Sequence, residues 1–325
     1  MGHSMGGAQL TSLSLMHPRL FHTLILMDPV IQRVVSVQGN IHPAVMSTFR
    51  RDIWPSRSAA MTAFKKSKFY QTWDPRVLDA WVKHGLRELP TEVYPADQTS
   101  AAPSEGQTAK PVMPIATTEP TTVPFPAEKP VTLTTTKHQE VFTFLRPSFP
   151  PGPPTGSTTL SQAPVLDRLM HPELDPTIPP TTFYRPEAGI IFANLPHLRP
   201  SVLYIFGAES NISAKPFRED KLAVTGTGVG GSGGVKEGRV DSVLFEGVGH
   251  LIPMEVPEKT ADECAKWFQR ELARYRQEER ALAEMWSRKP EEERYKLSKE
   301  SLAWLGSHRE EMIGEEKEKR GKSKL

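Results

Sequence analysis

Gly2-His3-Ser4-Met5-Gly6, followed by Gly7 and Ala8, is the stretch that decides the fold, because it satisfies G-x-S-x-G, the pattern of a sharp strand-to-helix turn presenting a serine. This is the form of a nucleophile elbow. The turn strains Ser4, and a Cβ at Gly2 or Gly6 is expected to strike the neighbouring strand or helix. The adjoining chain agrees with it: residues 5–17 read as a short helix. Thr23-Leu-Ile-Leu-Met27 is then a continuous apolar run of strand length that closes at Asp28-Pro29, as buried parallel strands do. Strand after helix points to an α/β architecture. At the start of that helix, the Met5 backbone N–H is the expected oxyanion donor, facing the oxygen of an attacked carbonyl as it gains charge.

A serine hydroxyl is a weak nucleophile near neutral pH and needs a histidine base held by an acid. Ten histidines compete. His250 lies in Phe245-Glu-Gly-Val-Gly-His-Leu-Ile-Pro-Met-Glu-Val-Pro257, a loop directly after a candidate strand, with glycines that let it curl and a helix start at Pro257. It is the candidate base. His3 sits inside the elbow and is expected to shape the pocket wall, while His17, His22, His171 and His197 lie near prolines or helix ends and read as structural. Further along, residues 201–206 and 241–245 are strand candidates, and residues 74–89 read as an amphipathic helix. That helix opens with an Asp74 cap and Pro75, and repeats apolar residues through Val77, Leu78, Trp81, Val82 and Leu86.

The chain order of serine, acid and histidine, together with GHSMGG, LILMDPV, WDPRVLDAWVKHGLRELPT, TLTTTKHQEVFTFLRP and NLPHLRPSVLYIFGAES, resembles the α/β-hydrolase superfamily. More narrowly, residues 1 to about 270 are similar to fungal peroxisomal α/β-hydrolases of the host-selective toxin biosynthesis type. The resemblance implies a cap between the strand ending at Asp28 and the strand starting at Ser201, and a fatty-acyl or polyketide-derived substrate. It also frames the choice of acid. Many members place it in a G-x-x-D turn after the strand represented by SVLYIF, but here that turn reads Gly207-Ala208-Glu209-Ser210. The other position used is the strand end after the elbow helix, which is Asp28. Asp28 is therefore preferred, with Glu209 as the alternative. The expected activity is cleavage of a carboxylic ester or thioester through an acyl-enzyme on Ser4; a non-catalytic interaction protein that keeps the fold, an inactive truncated gene product, and an acyltransferase or lyase using the same serine are the competing readings.

In this fold the elbow comes after a fifth strand, so roughly 90 residues of strands and connections are expected ahead of Ser4. The chain is read as N-terminally truncated, with the loop that supplies the second oxyanion donor missing. The whole prediction is an α/β-hydrolase fold with a proline-rich cap insertion and a charged helical C-terminal extension. Its parts are 1–30 (elbow, helix and strand), 31–195 (cap), 196–275 (rest of the core) and 276–325 (tail).

Composition narrows the remaining classes. Of 31 prolines, fourteen fall within residues 95–164, so residues 95–165 are expected to be extended, mobile chain rather than packed core. Lys plus Arg number 40 against 38 Asp plus Glu, interspersed along the chain, which builds no field for nucleic acid. One cysteine, Cys264, and no secretory pattern in MGHSMGG imply a reducing, intracellular compartment. Apolar runs such as 202–206 are far short of the roughly 20 residues a transmembrane helix needs. No metal or cofactor is expected. Gly226-Thr-Gly-Val-Gly-Gly231 fits G-x-G-x-x-G, but no helix pattern comes after it, and it reads as a flexible loop. The chain ends Ser323-Lys324-Leu325, the address read by the peroxisomal import receptor, so the expected partners are that receptor and a small acyl substrate.

Overall fold

The computed structural model describes residues 1–33, 37–96, 128–144, 146–147, 183–184 and 187–322. The chain divides into two compact units, Met1–Lys266 and Trp267–Leu325.

The first unit is organised by a parallel sheet. Its strands are β1 (Gly2–His3), β2 (Thr23–Met27), β8 (Ser201–Gly207) and β9 (Val240–Phe245), in that spatial order. Thr23 pairs with Ser201 and Met27 with Ile205, while Val202 pairs with Val240 and Gly207 with Phe245. All seven residues of β8 are buried, which explains an apolar run without alternation: a strand covered on both faces has no polar side to show. One face collects Leu24, Leu26, Val202, Tyr204 and Phe206 against Ala8 of helix α1 (Met5–Met16) and against Ile191 and Phe192 of helix α7 (Glu187–Asn194). α1 buries Gly7, Ala8, Thr11 and Ser14, and the hydroxyls of Thr11 and Ser14 donate to carbonyls one turn back. Small residues at that spacing bring the helix axis close to the sheet, and the internal hydrogen bonds satisfy the polar atoms this buries.

β2 and β8 are adjacent in the sheet although 173 residues separate them, and the segment between builds a second layer of structure. A helix, α2 (Val37–Phe49), is followed by β3 (Ile53–Trp54), α3 (Arg57–Lys66), α4 (Lys68–Gln71), α5 (Pro75–His84), β4 (Leu86–Glu88), β5 (Val131–Leu133) and α6 (Lys137–Phe144). The strands form an antiparallel sheet in the order β3-β5-β4, and Trp54, Phe64, Leu78, Val82, Leu86, Val131 and Leu133 make its core. A short antiparallel pair, β6 (Arg146–Pro147) with β7 (Phe183–Tyr184), precedes α7 in the chain. The Asp74 cap expected from the sequence accepts from the Arg76 amide, and at the start of α3 Ser56 accepts from the Ala59 amide.

Two expectations are corrected here. Residues 131–144 do not belong to a mobile proline-rich stretch. Val131, Thr132 and Leu133 are buried as the central strand, because β3 and β4 pair with it on both edges, Val131 and Leu133 join the core, and Thr132 donates its hydroxyl to the Asp52 carbonyl. The helix of residues 74–89 ends at His84. A Cβ on Gly85 would sit 2.7 Å from Trp81, and Leu86, read as part of the helical face, turns instead into β4 opposite Leu133. Most of residues 95–165 lies outside the described residues.

The glycine-rich loop is corrected as well. The amides of Gly226, Gly228 and Ser232 donate to the carbonyls of Leu195, Pro196 and Leu198 at 2.8 to 3.0 Å. It is an ordered loop held against the chain before β8, and those amides are not available to a phosphate.

Helix α8 (Lys215–Val224) buries a lysine. Lys221 is 1% exposed, its Nζ donates to the Phe217 carbonyl at 3.2 Å and lies 5.9 Å from the centre of the Phe206 ring, and burial lowers its pKa from 10.5 to about 8. The folded state therefore binds this proton less tightly than the unfolded chain does, so stability rises between pH 8 and 10.5, where the folded state has given up the proton and the unfolded chain still holds it. Lys221→Met is expected to raise stability at pH 7 by about 2 to 3 kcal/mol and to flatten that rise, measured by denaturant unfolding at pH 7, 8 and 10.

The second unit continues a long helix, α10 (Pro257–Arg288), and adds α11 (Lys299–Lys322) after Pro290 interrupts the pattern. Pairs four apart, Glu284 with Arg288 and Glu315 with Lys319, lie along exposed faces. Among the described residues, no helix is long and apolar enough to cross a membrane, and no cluster of His, Cys, Asp or Glu could hold a metal ion.

Candidate active site

Because the sheet is parallel, the residues after β1, β2, β8 and β9 emerge along one edge, at the carboxyl ends of the strands. Ser4 comes after β1, Asp28 after β2 and Ser210 after β8, and His250 lies in the loop after β9.

Ser4 has φ 55° and ψ −124°, a left-handed conformation costly for a residue with a side chain. It is held by its amide, which donates to the Met27 carbonyl at 3.0 Å, and by its carbonyl, which accepts from Gly7 at 3.1 Å and Val30 at 3.2 Å. A Cβ on Gly2 would lie 2.8 Å from the Gly6 backbone and the Gly7 Cα, so Gly2 has to be glycine. Gly6 is exposed, with nothing within 4 Å of such an atom among the described residues. The crowded position is Gly7 instead, where a Cβ would lie 3.0 Å from the Pro29 Cβ, which corrects the expectation for Gly6. Gly2→Ala should cost about 1 to 3 kcal/mol of stability, whereas Gly6→Ala, in the first turn of α1, should be neutral or stabilising by up to about 1 kcal/mol. Denaturant midpoints of the two variants check the difference.

The His250 imidazole lies between Ser4 and Asp28. Its Nε2 is 3.0 Å from the Ser4 Oγ and its Nδ1 is 2.5 Å from the Asp28 Oδ2. With a carboxylate facing Nδ1, the ring proton belongs there, and Nε2 is left to accept from the Ser4 hydroxyl. Asp28 is fully buried, has φ 42°, and donates its amide to the Ile205 carbonyl at 2.8 Å. Its carboxylate also accepts the hydroxyls of Ser210, at 2.5 Å, and Ser213. Three donors, one from the loop after β9 and two from the loop after β8, fix the orientation of the Asp28 carboxylate.

Glu209, the alternative acid, is exposed, and among the described residues no bond joins its carboxylate to His250. Its contribution is its amide, which donates to the Val248 carbonyl at 2.9 Å. Met5 is the first residue of α1, so its N–H has no acceptor within the helix and stands beside Ser4. Ser323, Lys324 and Leu325 lie outside the described residues.

Three contributors escaped the sequence reading. Ser210 occupies the turn position where many members carry an aspartate, and it donates its hydroxyl to the Asp28 carboxylate; Ser213, which does the same, has no sequence signal at all. His3, expected in the pocket wall, donates Nε2–H to the His250 carbonyl at 2.8 Å, with the ring centres 4.9 Å apart. Burial, the main influence on His3, pushes its pKa below the ordinary imidazole value, which keeps it neutral with one N–H to donate.

A profile described as the alpha/beta hydrolase fold matches residues 1–180, more than half of the chain. The chain is 36% identical over 288 residues to the type I acyl-CoA thioesterase mpaH of Penicillium roqueforti, covering 87% of this chain and 61% of that protein. It is 27% identical over 272 residues to the abhydrolase domain-containing protein AFT2-1 of Alternaria alternata, covering 83% of this chain and 82% of that one. The chain thus spans about three-fifths of the length of its Penicillium relative. Among solved structures, the peroxisomal alpha-beta-hydrolase Lpx1 of Saccharomyces cerevisiae aligns with a TM-score of 0.48 at 13% identity, over 97% of this chain and 61% of that one. On the family profile and the fold together, the chain belongs to the α/β hydrolase fold family.

Proposed function

We propose that the whole protein is a serine hydrolase that cleaves a carboxylic ester or thioester of a fatty-acyl or polyketide-derived acid. The observation that carries this is the continuous hydrogen-bonded line from the Ser4 hydroxyl through His250 to the Asp28 carboxylate, 3.0 Å and 2.5 Å long, drawn from residues 4, 28 and 250. In the forward half-reaction the Ser4 Oγ attacks the acyl carbonyl while His250 Nε2 takes its proton. The carbonyl oxygen gains charge beside the Met5 N–H, and the leaving thiol or alcohol departs with the proton that His250 returns. Water then repeats the sequence on the acyl-serine and releases the acid. Asp28 holds the Nδ1–H tautomer and stabilises the imidazolium that forms in each half.

The thioester class is favoured by the acyl-CoA thioesterase names of the Penicillium relatives. The same reading gives Ser323-Lys324-Leu325 to the peroxisomal import receptor, and the protein to the compartment where acyl thioesters are handled. The test is turnover of acyl-CoA thioesters and matched oxyesters of several chain lengths, reading free thiol or alcohol against free acid. One-to-one release that depends on Ser4 is expected. Activity that survives Ser4→Ala, or a folded protein inert to the whole series, would overturn the proposal, the second result favouring a binding protein on the same fold. Product esters formed with added alcohols in preference to acid would make it a transferase.

A further inference from the structure

The His250 loop is rich in glycine, with Gly247 at φ 69° and Gly249 directly before the histidine, and the Glu209 amide ties its backbone at the Val248 carbonyl, two residues short of the ring. Yet the imidazole has to meet Ser4 and Asp28 at once. Immediately after the loop, the single helical turn α9 (Ile252–Glu255) brings the Glu255 side chain back beneath it. The carboxylate accepts from both amides that flank the histidine: Gly249 N–H to Oε2 at 2.8 Å and Leu251 N–H to Oε1 at 3.2 Å. Gly249 leaves room for this, since a Cβ there would sit 2.8 Å from Glu255 Oε1. The turn itself is anchored, because the Met254 carbonyl accepts the Asp74 amide from the start of α5 at 2.9 Å. On the other side, His3 grips the carbonyl of His250.

We infer that Glu255 is the positioning residue of the base, acting through the Gly249 and Leu251 amides, with His3 as the opposing arm through the His250 carbonyl. The inference rests on the reading of His250 as base. Neither residue touches the reacting atoms. Both act by placing the ring, and a displacement of about 1 Å in such a group costs on the order of 100-fold in rate. Glutamine at 255 keeps one acceptor oxygen but turns an NH2 group toward the second amide, while alanine removes both acceptors.

The experiment compares wild type, Glu255→Gln and Glu255→Ala in the whole protein. Functional sites are first counted by the final stoichiometry of a fluorophosphonate titration, and kcat and KM for the best acyl substrate are then expressed per titrated site. The expected result is a graded loss of kcat, about 10-fold for glutamine and about 100-fold for alanine, with KM within about twofold and a proportionate slowing of the titration itself. His3→Gln should lower kcat by about 10-fold in the same manner. If kcat per titrated site stays within twofold of wild type in both Glu255 variants, while only the fraction of titratable protein falls, Glu255 supports folding alone and the inference is wrong. That outcome differs from a failure of the serine mechanism, which would show in the wild type as a titrant attached somewhere other than Ser4.

Discussion

Replacing Ser4 with alanine is expected to lower kcat by five to six orders of magnitude, the scale on which loss of a nucleophile disables a serine hydrolase. The substitution removes one oxygen and leaves the turn in place. The backbone bonds from the Ser4 amide to Met27 and from Gly7 and Val30 to its carbonyl involve no side-chain atom, so the fold and the affinity for the acyl chain should persist. His250 and Asp28 then have no hydroxyl to activate, and the residual rate is what the oxyanion donor and binding provide. Ser4→Gly makes the cost of the elbow visible. It abolishes activity equally, but glycine adopts φ 55° without penalty, so stability should rise by about 1 kcal/mol. Kinetics and denaturant unfolding of the two variants separate chemistry from strain.

Asp28→Asn is the second large effect, expected to lower kcat by about 10⁴-fold, by analogy with the same change in a serine protease triad. An amide in that place offers His250 either an N–H or a neutral oxygen. The first forces the imidazole proton onto Nε2, facing Ser4 with a donor where an acceptor is needed, and the second withdraws the charge that stabilises the imidazolium. Ser210 and Ser213 bond different oxygens of the carboxylate, so in the amide one hydroxyl keeps its acceptor and the other can turn to accept from the NH2, and the loss of stability should be small beside the loss of rate. Glu209→Gln, at an exposed carboxylate away from the ring, should leave kcat within about twofold, and the reverse pattern would move the acid to Glu209.

The parts legible in the sequence are those governed by local rules. An elbow needs glycine at position 2 because its Cβ would enter the next turn's backbone, and a strand covered on both faces needs an unbroken run such as Ser201 to Phe206, so both announce themselves. What stayed hidden depends on partners distant in sequence. Val131 to Leu133 sits among prolines and becomes a central strand only because Ile53 and Leu86 supply its two edges. The helical spacing that reaches Leu86 is genuine as a pattern, but Gly85 stops the helix and pairing with Leu133 takes the residue over. Gly6 and Gly7 are indistinguishable in a pattern, and which of them is crowded is decided by Pro29 on another strand end. The serines that bond Asp28 carry no signature, because their role exists only once residues 28, 210 and 213 converge.

Ser4 is expected to be the residue on which the acyl group is carried. Brief reaction of the whole protein with a fluorophosphonate, followed by proteolysis and mass mapping, puts it to the most direct test. A single adduct on Ser4, formed at a rate that falls steeply in Asp28→Asn and is lost in Ser4→Ala, is the expected result. An adduct on a different residue, or an unlabelled Ser4 in a protein that still hydrolyses acyl thioesters, would contradict the account.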